Sequence, residues 1–240
     1  MHPDLIVAVS NTAMAALHRE GPSLPIVFVL VSDPIQMGYV ESFSHPGGNV
    51  TGFTPFEPSL GTKWLFLLKE IAPGVEHVGL LFNPEPGNNA DSFAKPIEIA
   101  ARSLGIKSIV RPKSDSKEID QIILAIGNAG NGGLIFLPDA LTTAQRHRVV
   151  ELVARSRVPA IYPLRSFSEV GGLMSYGVDV DRLYVQSASY VDRILRGTNP
   201  WELPVQAPTK FEFVINLKSA KALGLTVPAG LLTTADDVIE

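Results

Sequence analysis

The sequence predicts an α/β protein of two lobes, each built on a doubly wound parallel sheet. Apolar, β-branched runs recur at intervals of roughly 20 to 30 residues, with helical stretches between them, which is the alternation that such sheets require. Two glycine-punctuated runs, residues 46–53 and residues 171–177, each lead into a short apolar strand. Together with the tail at 208–218, these runs indicate where the chain leaves one lobe for the other, as in a clamp that holds a small molecule.

Several of the predicted strands are apolar almost without interruption. Parallel strands that are buried on both faces have this character, because neither face meets water. The predicted strands, in chain order, are Leu5–Val9, Ile26–Val31, Val50–Phe53, Val78–Phe82, Ser108–Val110, Leu134–Leu137, Ala160–Tyr162 and Leu173–Ser175.

Between the strands, apolar residues fall at helical spacing and predict amphipathic helices. In the first of these stretches they lie at i, i+4, i+7 and i+11, which is one helix face, and Pro73-Gly74 ends the pattern. Gly105 and Gly197 end two further stripes of the same kind. The three stripes are Leu60, Trp64, Leu67 and Ile71; Ile97, Ala100, Ala101 and Leu104; and Tyr184, Ala188, Val191 and Leu195.

Two segments rich in proline and glycine, residues 45–61 and 197–208, are the candidate crossings between lobes. In a protein of one lobe, the same segments would be ordinary βα loops. With two lobes, the first takes residues 1–55 and about 176–208, and the second takes residues 56–175 and about 209–240.

Composition excludes several classes of function. The 240 residues include 20 Lys and Arg against 24 Asp and Glu, a formal net charge of −4 that gives no electrostatic footprint for nucleic acid. The chain has no cysteine, which excludes disulfides, iron–sulfur clusters and cysteine nucleophiles. No apolar run reaches the length of about 18 residues that a membrane-spanning helix needs. The first ten residues read as a strand and lack the pattern of a signal peptide.

No motif predicts a cofactor, a metal ion or a catalytic centre. The glycine-rich stretch 127–133 precedes a strand, whereas a dinucleotide-binding fingerprint follows one. Neither a phosphate-binding Walker A loop nor a Gly-x-Ser-x-Gly elbow is present, and the five histidines have no metal-ligand spacing. We therefore expect no cofactor and no enzymatic activity.

Ligands of open parallel sheets bind beyond the carboxyl ends of the strands, so the residues that follow each strand are the candidate ligand-binding residues. Ser10, Asn11 and Thr12 follow the first strand and open a helix, where hydroxyls beside a positive helix end suit a carboxylate. Asp33 follows the second strand and could pair with a ligand ammonium. The alternative for Ser10 and for Asp33 is a plain helix cap.

Four more candidates follow strands further along the chain. Asn83 could fix a polar ligand, or be a solvated turn residue. Asp139 could face the ligand, or cap the helix that runs through residues 149–152. Tyr162 and Tyr176 end strands where a ring could stack on a ligand, and the alternative for both is burial in the core.

Residues 4–240 resemble the substrate-binding components of ABC transporters of the tryptophan/aromatic-amino-acid type. The resemblance covers nearly the whole chain, and its segments follow in the same order. It rests on Ile26-Val27-Phe28 with Asp33-Pro34, on 46–52, on 65–73, on 171–177, on Tyr190-Val191-Asp192-Arg193-Ile194-Leu195, and on 208–212 through 220–225.

The resemblance implies the type I periplasmic binding protein fold, with two α/β lobes joined by three hinge crossings and a ligand in the cleft between them. It also implies a solute-binding component of an importer, located in the periplasm, that takes an amino acid or similar small organic ligand and delivers it to a membrane permease. The ligand itself stays open at this point.

One departure from the family concerns the start of the chain. Members open with a signal sequence and a strand–helix–strand–helix unit before the strand that matches Leu5–Val9, and that unit is absent here. The first lobe is therefore expected to be incomplete and to expose the edge of that strand. Either the sequence is truncated, or a partner chain covers the edge, with self-association as one form of such pairing.

Two other functions are compatible with the predicted fold. An effector-sensing core of a sugar-type regulator shares it, but would carry a DNA-binding head. An α/β enzyme such as a racemase would need paired acid and base groups, and Asp33 and Asp139 are the candidates for that pair.

Overall fold

The structure is a computed structural model that describes residues 3–21, 23–55, 59–82, 90–110 and 116–240. The chain divides into two compact units. Unit 1 takes the described residues of Met1–Glu57 together with Val178–Lys210. Unit 2 takes those of Pro58–Glu85 together with Ala90–Gly177 and Phe211–Glu240. No helix of the described ranges combines the length and the hydropathy needed to cross a membrane.

Strands and helices alternate through most of the described chain, as the sequence predicts. The strands are β1 Ile6–Val9, β2 Ile26–Val29, β3 Val50–Phe53, β4 His77–Leu81, β5 Ser108–Val110, β6 Gly132–Phe136, β7 Ala160–Tyr162, β8 Met174–Gly177, β9 Glu212–Asn216 and β10 Asp237–Ile239. The helices are α1 Asn11–Glu20, α2 Leu60–Ile71, α3 Ala90–Ser103, α4 Ser116–Ala129, α5 Ala140–Ala144, α6 Arg146–Arg155, α7 Arg165–Glu169, α8 Val180–Leu195, α9 Leu217–Ala222 and α10 Ala229–Thr234.

Unit 1 is built on a three-stranded parallel sheet in the order β1-β2-β3. One face of this sheet packs a core that contains Ala8, Met14 and Phe28. On the opposite face α8 packs against β2 and β3, and the ring of Tyr190 lies 4.8 Å from the ring of Phe53. The middle strand is therefore buried on both faces, which accounts for its uninterrupted apolar sequence.

Gly52 is required where β3 passes β2. Its φ is 157°, and a Cβ at this position would lie 2.1 Å from the carbonyl oxygen of Phe28. The two strands approach each other there too closely for any side chain. Strand packing therefore explains why residue 52 is glycine.

Unit 2 is built on a seven-stranded sheet in the order β10-β9-β8-β7-β6-β4-β5. All neighbouring pairs are parallel except β8 and β9, which run antiparallel with Met174 opposite Ile215. One core cluster joins β6 and β7 to α4, α6 and α7, and Phe136, Tyr162 and Phe167 form its aromatic centre. The predicted α/β class with doubly wound parallel sheets is confirmed, with this one antiparallel pair as a departure.

The first lobe's sheet ends at β1, and its apolar face is only partly covered. Val27 and Val29 of β2 are fully buried under α8, whereas their neighbours in the register, Val7 and Val9 of β1, are 46% and 38% exposed. The backbone N–H groups of Ile6 and Ser10 donate to carbonyls on the β2 side. The backbone groups of Val7 and Val9 therefore point away from β2. The strand therefore offers a short apolar edge that is open to pairing.

Candidate functional site

Ser10 forms the junction between β1 and α1. It adopts a left-handed backbone with φ 83°, its Oγ accepts from the Ala13 N–H at 3.4 Å, and its carbonyl accepts from Met14. Ser10 therefore caps α1. Thr12, the second residue of the helix, is exposed. The two hydroxyls lie at the positive end of a ten-residue helix, an environment that favours an anion.

Asn11 ties the end of β1 to the segment that follows β2. Its Nδ2 donates to the Ser32 carbonyl at 3.1 Å, and its Oδ1 accepts from the Ser32 N–H at 2.7 Å. This reciprocal pair satisfies both backbone groups of Ser32, which is itself buried. The side chain of Asn11 therefore positions the two strand ends relative to each other.

Asp33 lies next to Ser32 and is half-buried. Its φ is 53°, and its carbonyl accepts from the Met37 N–H. Leu30, three residues earlier, has φ 60°. Among the described non-glycine residues, three of the five with positive φ are Ser10, Leu30 and Asp33, all at the carboxyl ends of β1 and β2. Strained backbone of this kind concentrates at binding sites, so this edge is the strongest candidate site in unit 1.

Asp139 caps a helix at the carboxyl end of β6 in unit 2. Its two carboxylate oxygens accept from the N–H groups of Leu141 and Thr142, at 3.0 and 3.3 Å. The capped helix is α5, which ends at Ala144, and the chain turns at Gln145 before α6 begins. The helix through residues 149–152 is therefore a separate element that Asp139 does not cap.

Tyr176 lies at the end of β8 and is half-buried. Its ring centroid is 5.8 Å from that of Phe211, and the Nζ of Lys63 lies 5.8 Å from the ring centroid. Burial, and secondarily the negative charge of Asp236, raise the pKa of Tyr176. The phenol therefore stays neutral well above physiological pH and keeps its hydroxyl as both donor and acceptor.

Trp64 binds the backbone of Tyr176, which the sequence did not predict. The indole Nε1 of Trp64 donates to the Tyr176 carbonyl at 2.7 Å, and the Trp64 side chain is fully buried. A tryptophan in an apolar helical stripe gave a core signal only, because its bonding partner lies 112 residues further along the chain. Ser32 was missed in the same way, because backbone groups carry no sequence signal.

Tyr162 lies in the core of unit 2 and is 1% exposed. Its ring stacks against those of Phe136 and Phe167, at centroid distances of 4.7 and 4.9 Å. The side chain packs against Gly172. Tyr162 is therefore a core residue, which is the alternative that the sequence left open for it. Asn83, the remaining sequence candidate, lies outside the described residues.

Two cavities of unit 2 lie away from the carboxyl ends of its strands. The larger, of about 500 Å³, is bounded by the loops that precede β4, β6 and β7. The smaller, of about 280 Å³, lies between α6 and α9 beside the loop that precedes β8, and Tyr162 lines it. Of the sequence candidates whose side chains are described, Tyr162 alone contributes to either cavity.

Comparison with known proteins gives consistent matches. The model of the family described as ABC transporter substrate binding protein matches residues 1–239. A tyrosine-binding protein of Clostridioides difficile strain R20291 is 25% identical over 223 residues, which are 92% of this chain. The chain spans 63% of the length of that curated relative.

Two solved structures are similar over almost the whole chain. A conserved domain protein from Vibrio cholerae O1 biovar El Tor N16961 has a TM-score of 0.89 and 30% identity, covering 99% of this chain and 79% of its own. The ABC domain from Streptococcus pneumonia, solved in complex with L-Trp, has a TM-score of 0.88 and 26% identity, covering 98% of this chain and 79% of its own.

Asn11→Asp should destabilise unit 1 by about 1–3 kcal/mol, because it removes the donor to the Ser32 carbonyl and leaves that group without its partner. Urea unfolding followed by circular dichroism measures the change. Thr12→Ala is the control, because Thr12 is exposed on the same helix turn and its loss should change stability by less than about 0.5 kcal/mol. Equal stabilities of Asn11→Asp and Thr12→Ala would contradict the assigned role of Asn11.

Alkaline pH should destabilise unit 2 through Tyr176. The unfolded chain ionises this tyrosine at its ordinary value of 10.0, whereas the folded chain ionises it only at higher pH. Stability conferred by the neutral phenol is therefore full below pH 10 and is lost as pH rises through the folded pKa. Tyr176→Phe should lose less stability than the wild type between pH 8 and pH 11 in urea unfolding. Parallel losses in the two proteins would show that the pKa is not raised.

Proposed function

This chain belongs to the family of ABC transporter substrate binding proteins, and on that premise we propose that it is the solute-binding component of an importer. It binds an amino acid or a similar small organic solute and presents it to a membrane permease. The proposal places the protein outside the cytoplasmic membrane, in the periplasm, as substrate-binding proteins of this kind are.

The observation that carries the proposal is the polar, left-handed edge at the carboxyl ends of β1 and β2. Ser10, Leu30 and Asp33 hold this backbone, and Asn11 fastens it through Ser32. Sites at the carboxyl ends of parallel strands are where this architecture receives small ligands. A backbone that is strained and fixed in advance binds without first being ordered.

Each polar group at this edge has a chemical role in the proposal. The hydroxyls of Ser10 and Thr12, with the first turn of α1, bind the ligand carboxylate. Asp33 pairs with the ligand ammonium.

The relatives support an aromatic amino acid as the first ligand to test. One similar structure holds L-Trp, and the curated relative is called a tyrosine-binding protein. No chemical step belongs to the proposal, since the engagement of Asp139 as a cap weakens the pairing of Asp33 and Asp139 that a racemase would need.

Calorimetric titration tests the proposal with L-Trp, L-Tyr and L-Leu. The wild type should bind at least one of them, and Asp33→Asn should weaken that binding about tenfold, because the ammonium loses its counter-charge. Asparagine tolerates positive φ, so the backbone at this position is kept. Indole-3-propionate, which lacks the ammonium, should bind the wild type and Asp33→Asn equally.

Asp181→Asn is the matched control, because Asp181 is exposed at the start of α8 in the same unit. It should bind like the wild type. Absence of binding for every amino acid at millimolar concentration would refute the amino-acid assignment. An Asp33→Asn variant of unchanged affinity would refute the role of Asp33.

A further inference from the structure

The cavity of about 280 Å³ in unit 2 has mostly apolar walls and one buried phenol. Its walls come from α6, from α9 and from the loop before β8, and include Val150, Val153, Leu173 and Leu223. Tyr162 lines it from the core side and is 1% exposed. This cavity lies within one unit, beside the start of β8, and shares no residue with the candidate site of unit 1.

The hydroxyl of Tyr162 makes no hydrogen bond within the described part of the chain. The ring packs against the rings of Phe136 and Phe167, and Gly172 leaves space for its edge, since a Cβ there would lie 2.7 Å from the ring. Because Tyr162 lines the cavity, an acceptor brought there by a ligand would give this hydroxyl a partner.

The surroundings also restrict the charge of such a ligand. Burial raises the pKa of Tyr162, so the phenol is protonated at neutral pH and acts as a donor. Lys218 at the rim already donates to the Glu240 carbonyl, and Ser219 donates to the Gly171 carbonyl at 2.7 Å. A buried carboxylate would therefore find no dedicated cation here, whereas an uncharged carbonyl would satisfy the phenol.

We propose that this cavity is a second binding site, which takes a small, uncharged, mostly apolar molecule with one carbonyl-type acceptor that bonds to Tyr162. The site is separate from the amino-acid site proposed above, and occupancy of either one can be measured while the other is empty.

The test uses the full chain and two probes of similar shape, acetophenone, which carries a carbonyl, and ethylbenzene, which does not. Binding is followed by NMR of the protein labelled at its tyrosine rings, of which the chain has five. Acetophenone should shift the signal of Tyr162. Tyr162→Phe, followed by the methyl signals of Val150 and Val153, should weaken acetophenone binding about threefold to tenfold and leave ethylbenzene unchanged.

A second variant tests the place of the site without touching the core. Ala222 is an exposed residue on the rim, so Ala222→Trp should cover the mouth and abolish binding of both probes. Leu195→Trp, an exposed position on α8, is the matched control and should bind both probes normally. Amino-acid binding should be the same in Ala222→Trp and the wild type, so the two proposals fail or stand separately.

Three results would each overturn the proposal. They are no acetophenone binding to the wild type at millimolar concentration, equal acetophenone affinity in the wild type and Tyr162→Phe, and unchanged binding in Ala222→Trp. Should Tyr162→Phe fail to fold, Ala222→Trp alone decides, because its substituted side chain lies at the surface.

Discussion

Burial of parallel strands on both faces is the constraint that decides where chemistry can lie in this protein. The strands β2 and β6 are buried at every residue, and their backbone groups are satisfied within the sheets. A polar side chain inside either of these strands would need a buried partner, so polar side chains are favoured where the strands have ended. This is why Ser10, Asp33 and Asp139 all follow strands, and why the candidate residues could be selected before any coordinate was known.

The same constraint produces different roles at different strand ends. At the ends of β1 and β2 the backbone enters the left-handed region, and Asn11 bonds the two ends together through the peptide of Ser32. At the end of β6 the backbone of Asp139 is extended, and its carboxylate serves the first turn of α5. A residue type at a strand end therefore predicts position, whereas the local backbone differs from one strand end to another.

Most strands and helices could be predicted from the sequence. Burial on one face or on both faces gives each segment its own spacing of apolar residues. The antiparallel strand β9 could not be predicted, since Ile215 finds its place only by pairing with Met174, and β10 then pairs with β9. The direction of the Tyr162 side chain was also hidden, because the space that it fills is created by Gly172, which belongs to another segment. What the sequence lacks in each case is a contact between residues distant in the chain.

Tyr162 shows how a core residue can still carry a polar function. Its ring meets the packing demand of the core through Phe136 and Phe167, and this stacking fixes the direction of the phenol. A phenylalanine would meet the same demand without the burden of a buried hydroxyl, so packing alone does not account for a tyrosine. The cavity beside α6 and α9 supplies the missing reason, since it gives the hydroxyl a space in which an acceptor can reach it. Strand ends hold the charged chemistry of this protein, and the cavity gives one neutral donor a place inside the core.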